Sequence, residues 1–182
     1  GNTTTGEGAG MSNSVSSPRI EKCIFRNNKA NIGGAMNNSA SNVSLVECQF
    51  IGNTNDINLD PPPNPGPSGE GGAIRQVAAS ILTLEHCVFR SNLAGQSGGA
   101  IESLDSSLRI FNCEFLNNQV FKHGCGGAIH YAPGTITDGV PQLEVRNSKF
   151  VDNKALFQPG YGDITGAAAL CSRPAIGSGG SS

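Results

Sequence analysis

The sequence is poor in charge, in aromatic residues and in long apolar runs, and each shortage excludes a class of protein. Only 14% of the 182 residues are charged and the formal net charge is −2, so nothing in the composition favours binding to nucleic acid. No apolar run approaches the roughly 20 residues of a transmembrane helix, and residues 1–19 are polar and unlike a signal peptide. No window shows the periodicity of an amphipathic helix. We therefore expect a protein without helices and without a transmembrane segment.

What the sequence has in quantity is glycine, 25 residues, much of it placed in a repeat. The first half of the repeated unit is Gly-Gly-Ala-Ile or a close relative, beginning at Gly33, Gly71, Gly98 and Gly126. Degenerate copies lie at Gly8-Ala9-Gly10-Met11 and Tyr161-Gly162-Asp163-Ile164. The second half is Phe-x-x-Asn, with Cys or Ser two residues before the Phe. Without its inserted loops the unit has a period of about 25–27 residues, which is typical of a solenoid.

Apolar residues alternate with polar ones before each Cys or Ser, as in Leu82-x-Leu84 and Leu108-x-Ile110. A period of two indicates a strand with one buried face. Short strands joined by bends, repeated at this period, predict the coils of a parallel β-helix, stacked about 4.8 Å apart. The paired glycines fit a tight corner where a Cβ would clash or φ must be positive.

Stacked coils place like residues in ladders through the core. We predict an aromatic stack, an asparagine ladder at a turn, and a ladder of small side chains in which Ser148 takes the fifth place. The predicted members are Phe25, Phe50, Phe89, Phe115 and Phe150; Asn28, Asn53, Asn92, Asn118 and Asn153; and Cys23, Cys48, Cys87 and Cys113. Asparagine suits its ladder because its amide both donates and accepts along the stack.

The alternation of Phe-x-x-Asn with Gly-Gly-Ala-(Ile/Leu/Val) resembles the repeat of the chlamydial polymorphic outer-membrane proteins. The resemblance covers about residues 8–165. In that family the repeats form the β-helical passenger of a secreted autotransporter adhesin. The resemblance, with the general rule for parallel crossovers, implies a single-stranded right-handed parallel β-helix of five to six coils. It also implies an extracellular or cell-surface location.

The predicted organisation is an N-terminal flank (1–7), a parallel β-helix (8–171) with inserted loops at 54–70 and 132–142, and a Gly/Ser-rich tail (172–182). The first loop holds five prolines: Pro61, Pro62, Pro63, Pro65 and Pro67. It is either a tolerated insertion or a stiff partner-binding loop, because proline reduces the entropy lost on binding.

Candidate chemistry is sparse. No Cys-x-x-Cys pair occurs, so the ladder cysteines are interpreted as structural, and Cys125 and Cys171 either pair with each other or remain free. His123, Cys125 and His130 have the residue types of a metal site, but we interpret them as surface turn residues and predict no metal and no cofactor. The acids, among them Glu47, Glu85 and Glu102, are scattered rather than converging on one outer face, and Tyr131 and Tyr161 fall near coil corners. We therefore predict that the chain is not an enzyme.

The preferred hypothesis is a non-catalytic structural or adhesive module that presents its loops to a partner. The expected partner is a protein or a second copy of the chain, since a solenoid with uncapped ends exposes strand edges; surface glycans are a further candidate. The alternative is a carbohydrate-binding or carbohydrate-active β-helix, of polysaccharide lyase or glycosidase type. Glycosylation sequons at Asn2, Asn37 and Asn42 leave modification open.

Overall fold

The computed structural model describes residues 1–55, 69–121, 125–133, 142–155 and 169–172. These residues form 21 strands and no helix, and accordingly none of them belongs to a helix able to cross a membrane. The chain winds through four strands per coil, and each strand pairs in parallel with its equivalent in the next coil. The predicted parallel β-helix is therefore confirmed.

Like strands of successive coils make four sheets. The first sheet contains β1 (Met11–Ser14), β5 (Met36–Ser39), β9 (Ile74–Val77), β13 (Ile101–Leu104), β17 (Ile129–Ala132) and β21 (Leu170–Ser172). The second contains β2 (Arg19–Glu21), β6 (Asn42–Val46), β10 (Ile81–Glu85), β14 (Ser107–Phe111) and β18 (Leu143–Arg146). The third contains β3 (Ile24–Arg26), β7 (Gln49–Ile51), β11 (Val88–Arg90), β15 (Glu114–Leu116) and β19 (Lys149–Val151). The fourth contains β4 (Lys29–Ala30), β8 (Thr54–Asn55), β12 (Leu93–Ala94), β16 (Gln119–Val120) and β20 (Lys154–Ala155).

The core contains the predicted aromatic stack. Consecutive rings from Phe25 to Phe150 lie with their centroids 4.7–4.8 Å apart and their planes within 3–4° of parallel. This spacing equals the distance between hydrogen-bonded strands, because each ring stands on a strand of the third sheet in register with the next. The rings of Phe50, Phe89 and Phe115 are fully buried.

The predicted asparagine ladder is also present. The Oδ1 atom of Asn92 accepts hydrogen bonds from both the backbone N–H and the Nδ2 of Asn53, at 2.9 and 3.0 Å. Its Nδ2 donates to Oδ1 of Asn118 and to the backbone carbonyl of Phe50, each at 2.9 Å. Every buried polar atom of the Asn92 side chain is thus partnered, and the same pattern continues to Asn153.

The residues of the predicted cysteine ladder are not all buried. Cys48, Cys87 and Cys113 are buried, but Cys23 in the first coil is exposed, and all four are free thiols. Each Sγ donates to the carbonyl oxygen two residues before it, at 3.2–3.4 Å. Ser148 makes the same bond through Oγ, at 2.9 Å to Arg146. A hydroxyl therefore replaces the thiol in the fifth coil without loss of the turn contact.

The bends need positive φ angles at fixed places. One such residue precedes each ladder Cys or Ser (Lys22, Glu47, His86, Asn112 and Asn147), and one precedes each ladder Asn (Asn27, Gly52, Ser91, Asn117 and Asp152). At the paired-glycine corner, Gly71 has φ +66° and a side chain at Gly72 would overlap the carbonyl oxygen of Gly99 in the next coil. A side chain at Gly71 would also overlap the carbonyl oxygen of Ile74, so the first glycine meets a conformational and a steric need and the second a steric one.

The last coil differs from the sequence prediction. Ile129 pairs with Leu170, and the carbonyl of Ala169 accepts from Ala128 and Ile129. Leu170 therefore holds the position that the repeat pattern predicts for Ile164. Ile164 and the rest of the copy at Tyr161 lie outside the described residues. The run Gly166-Ala-Ala-Ala-Leu170 supplies an Ala followed by an apolar residue, as Gly-Gly-Ala-Ile does.

Candidate functional site

One outward row of the first sheet is chemically unlike the rest of the molecule. It consists of the second residue of each strand from β5 to β21, and we name it the polar row: Asn37, Arg75, Glu102, His130 and Cys171, each in register with the next. Alternation along a strand points these side chains away from the core. Yet Asn37 and Glu102 are only 2% and 1% exposed, and His130 is 8% exposed.

Most of the polar row is buried, because residues just before the glycine corner lie against it. Gly98 has φ +59°, and a side chain there would overlap the carbonyl of Ile101, so the chain before the corner lies against the start of β13. The residues immediately before the first corner glycine make a second row, which we name the corner row: Glu7, Ile32, Glu70, Ser97 and Cys125. β-bridges join Glu7 to Ile32 and Glu70 to Ser97.

Contacts between the two rows differ from coil to coil. Asn37 donates from Nδ2 to Oε2 of Glu7, at 2.6 Å. Arg75 donates from Nε to Oε2 of Glu70, at 2.7 Å, and both side chains are about four-fifths buried, 18% and 21% exposed. At the far end Cys125 forms a disulfide with Cys171, with Cα atoms 5.6 Å apart.

Within the polar row, His130 and Glu102 form a buried pair. The Nδ1 atom of His130 lies 2.9 Å from Oε1 of Glu102, and the two side chains are 10% and 2% exposed. The free ring nitrogen Nε2 and the second carboxylate oxygen Oε2 are buried without a hydrogen-bond partner, as is Oδ1 of Asn37. Three unpartnered polar atoms on one row are unusual, because buried polar groups are nearly always satisfied.

The Glu70 carboxyl is affected by its burial and by its charged neighbours on this face. Burial raises the pKa of Glu70, the nearby Glu102 carboxylate raises it further, and the Arg75 guanidinium opposes both. A carboxyl with a raised pKa beside a second carboxylate, an arginine and a histidine has the composition of an acid–base or cation-binding site. The Sγ atoms of Cys125 and Cys171 and a ring nitrogen of His130 also lie within 4.8 Å of one another.

Comparison with known proteins identifies the fold family. The family model described as the right-handed β-helix region matches residues 2–150. The chain belongs to this right-handed β-helix family. No curated protein and no solved structure matches it. The match confirms the predicted right-handed parallel β-helix and extends into β19 of the fifth coil. It does not show that the chain belongs to the polymorphic outer-membrane proteins.

The β-helix places several sequence-predicted residues elsewhere than expected. The acids do converge in part, because Glu70 and Glu102 share one outer face, whereas Glu47 and Glu85 are exposed at bends. His130 is buried rather than a surface turn residue, and His123 lies outside the described residues. Tyr131 is in the core at 4% exposure, not at a corner, and burial raises its pKa.

The remaining predicted sites are only partly described. Pro61, Pro62, Pro63, Pro65 and Pro67 lie outside the described residues. Of the three sequon asparagines, Asn2 and Asn42 are exposed. Asn37 is buried in the polar row, so its amide is inaccessible in the folded chain.

Sequence reasoning missed Glu7, Glu70 and Arg75 altogether. A signal was present, since glutamate directly precedes the first corner glycine at both Glu7 and Glu70, and Cys125 holds the same place before Gly126. The sequence prediction puts Glu7 in the N-terminal flank and Glu70 in the first inserted loop, and it treats His130 as a surface turn residue. Only the return of the corner over the sheet brings the two together.

Proposed function

We propose that this β-helix is the non-catalytic scaffold of an extracellular or cell-surface adhesion or assembly protein, related to the polymorphic outer-membrane repeat proteins. In this role the coils form a rigid frame, and the inserted loops contact the partner. The observation that carries the proposal is that the coils keep their register on both sides of an insertion. A frame that tolerates insertions can vary its binding loops without refolding.

The inserted segment 56–68 illustrates this tolerance. The described coil reaches Asn55, at the end of β8, and Gly69 is the next described residue, two residues before Gly71. Across it, Met36 still pairs with Ile74 and Phe50 with Phe89. Removing 56–68 would leave two residues between Asn55 and Gly71, the same number that the preceding coil has between Ala30 and Gly33.

The disulfide supports the proposed location. Disulfides persist in oxidising surroundings and are rare in reducing ones, and Cys125 and Cys171 join neighbouring coils of the solenoid. The four ladder cysteines do not argue against this, because three of them are buried where an oxidant has no access. Self-association through strand edges, and binding to surface glycans, remain predictions of the sequence.

Adhesion with and without the loop tests the proposal. Beads carrying the full chain, or a variant lacking residues 56–68, are applied to mucin-, collagen- and fibronectin-coated surfaces and to epithelial cell layers. We expect the full chain to hold beads on at least one surface and the deletion to release most of them, with unfolding temperature and circular dichroism unchanged. Equal retention by both chains, or none by either, would remove the loop-presenting role.

A carbohydrate-active role is the second candidate, favoured by Glu70, Arg75 and Glu102 on one outer face. Glycan hydrolysis uses paired carboxyl groups, one of them with a raised pKa. Incubation with a panel of acidic and neutral polysaccharides, followed by a reducing-end assay, addresses it. Turnover that is lost in Glu70→Gln and kept in Glu85→Gln would replace the scaffold proposal with an enzymatic one.

A further inference from the structure

The last described coil holds three residues of the types that bind zinc, and one ring nitrogen of its histidine is unpartnered. Cys125 precedes the corner glycine, His130 is the second residue of β17, and Cys171 is its neighbour in β21. Their donor atoms lie within 4.8 Å of one another. Two sulfurs and one imidazole form the donor set of an open zinc site, whose fourth position is left to solvent.

The histidine is already held as a metal ligand would be. Nδ1 of His130 is engaged by Oε1 of Glu102 at 2.9 Å, which fixes the ring and leaves Nε2 as its free donor. Nε2 is buried and has no hydrogen-bond partner among the described residues. Metal-bound histidines commonly carry such a carboxylate on their other nitrogen, since it orients the ring and raises its basicity.

We propose that Cys125, Cys171 and His130 bind a zinc-class divalent cation when the two cysteines are reduced, so that metal and disulfide are alternative closures of the last coil. A dithiol reductant supplies two electrons and two protons to the disulfide, and is itself oxidised to a disulfide. Binding of the cation to the resulting thiols then displaces their two protons. The sulfurs separate to about 3.8 Å, the ligand spacing of a tetrahedral zinc site.

This inference is independent of the proposed adhesive role. In oxidising surroundings the covalent bond joins Cys125 to Cys171, and in reducing surroundings the cation joins the same two residues. The four ladder cysteines do not provide a comparable site, because each thiol donates to the backbone of its own bend. Glu102 acts as a positioning residue, through His130.

Cobalt(II) titration of the full chain, reduced with a phosphine and kept without oxygen, tests the site. We expect one cobalt per chain, with sulfur-to-metal charge-transfer absorption and the intense visible bands of tetrahedral cobalt, both lost when zinc is added. His130→Gln and Cys171→Ser should weaken binding at least about 100-fold, and Glu102→Gln about 10–100-fold. His86→Gln, which changes an exposed histidine between β10 and β11, should bind cobalt as the unaltered chain does.

Alkylation provides a readout that does not depend on the spectrum. In the reduced, zinc-loaded chain, mass spectrometry should find Cys125 and Cys171 protected from iodoacetamide while the exposed Cys23 reacts. Oxidation by a small disulfide should then release one zinc for each Cys125–Cys171 bond formed. Cobalt binding that survives both Cys171→Ser and His130→Gln, or that disappears with Cys23→Ser, would overturn the proposal, as would the absence of any one-to-one complex.

Discussion

The interior ladders and the polar row are both largely buried and both in register from coil to coil. They differ in whether the same residue recurs. The ladders repeat one residue in every coil, Phe beneath Phe and Asn beneath Asn. The polar row changes residue at every coil, from Asn37 through Arg75, Glu102 and His130 to Cys171. Repetition indicates a requirement of the coil itself, whereas a buried position that varies has no such requirement and is free to carry chemistry.

The largest expected effect comes from interrupting the asparagine ladder. Asn92→Ala removes a side chain that makes four hydrogen bonds and leaves the buried N–H of Asn53 without its acceptor. With about 1–3 kcal/mol for the orphaned N–H and about 1 kcal/mol for each of the other three hydrogen bonds, the free energy of unfolding should fall by about 5 kcal/mol. Urea unfolding measures it, with Asn42→Ala, an exposed position, as the control. A loss of unfolding free energy no larger than that of the control would show that the asparagine ladder is not required for the stability of the coils.

Removing one ring from the aromatic stack should have the next largest effect. Phe89 is fully buried between Phe50 and Phe115, so Phe89→Ala leaves a cavity and should lower the free energy of unfolding by about 4 kcal/mol. Phe111→Ala is the matched control, because Phe111 is half-buried on the outer side of β14. Similar losses from the two variants would contradict the assignment of the stack as the core.

The contact of the corner-row residue Glu70 with the polar row should appear in the pH dependence of stability. The pKa of Glu70 is raised in the folded state by burial and by Glu102. The folded chain therefore binds this proton more tightly than the unfolded chain, and the Glu70 contribution to stability is greatest below its unfolded pKa and falls as pH rises through the folded value. The stability of the unaltered chain minus that of Glu70→Gln should accordingly increase as pH falls from 7 to about 4.5.

Urea unfolding at several pH values measures this difference. Glu85→Gln, at an exposed end of β10, controls for the loss of one carboxyl from the chain. A difference that decreases toward acid would mean that the Arg75 contact outweighs burial at Glu70, and the polar row would then be a set of ion pairs like those on the surface.

The smallest expected effect is a gain in stability from a substitution at Val15. Val15 is 81% exposed and has φ +47°, a conformation that is unfavourable for a β-branched residue. The equivalent bend of a later coil uses Asp105, with φ +48°. Val15→Asn should therefore raise the free energy of unfolding by about 1 kcal/mol, measured by thermal or urea unfolding. Val46→Asn, on a strand with ordinary backbone angles, should show no such gain.

The sequence predicts the ladders well because each ladder is one residue type that recurs at a fixed position of the repeat. Phe, Asn and Cys return together, so the strand, the bend and the inward face follow from a few residues in each coil. The last coil was assigned to Ile164 rather than Leu170, because its glycines are replaced by alanines and the spacing after Phe150 is irregular.

The candidate site was beyond the reach of the same reasoning. Alternation along a strand puts Glu102 and His130 on the outer side of the sheet, but it does not say whether that side is covered by another part of the chain. Their burial results from a backbone reversal at the corner glycines, which brings Glu70 and Cys125 over the neighbouring strand. Such a contact depends on the path of the chain in three dimensions, and no residue pattern within one strand records it.

In-register pairing has a consequence for how such a molecule can change. Since Ile74 occupies in one coil the place that Ile101 occupies in the next, excising residues 74–100 would join equivalent points and leave every ladder continuous. Duplicating the same stretch would add a coil in the same way. The whole coil is thus the unit that can be deleted or duplicated in this fold. Such a change alters the length of the β-helix, while each remaining residue still stacks on an equivalent one.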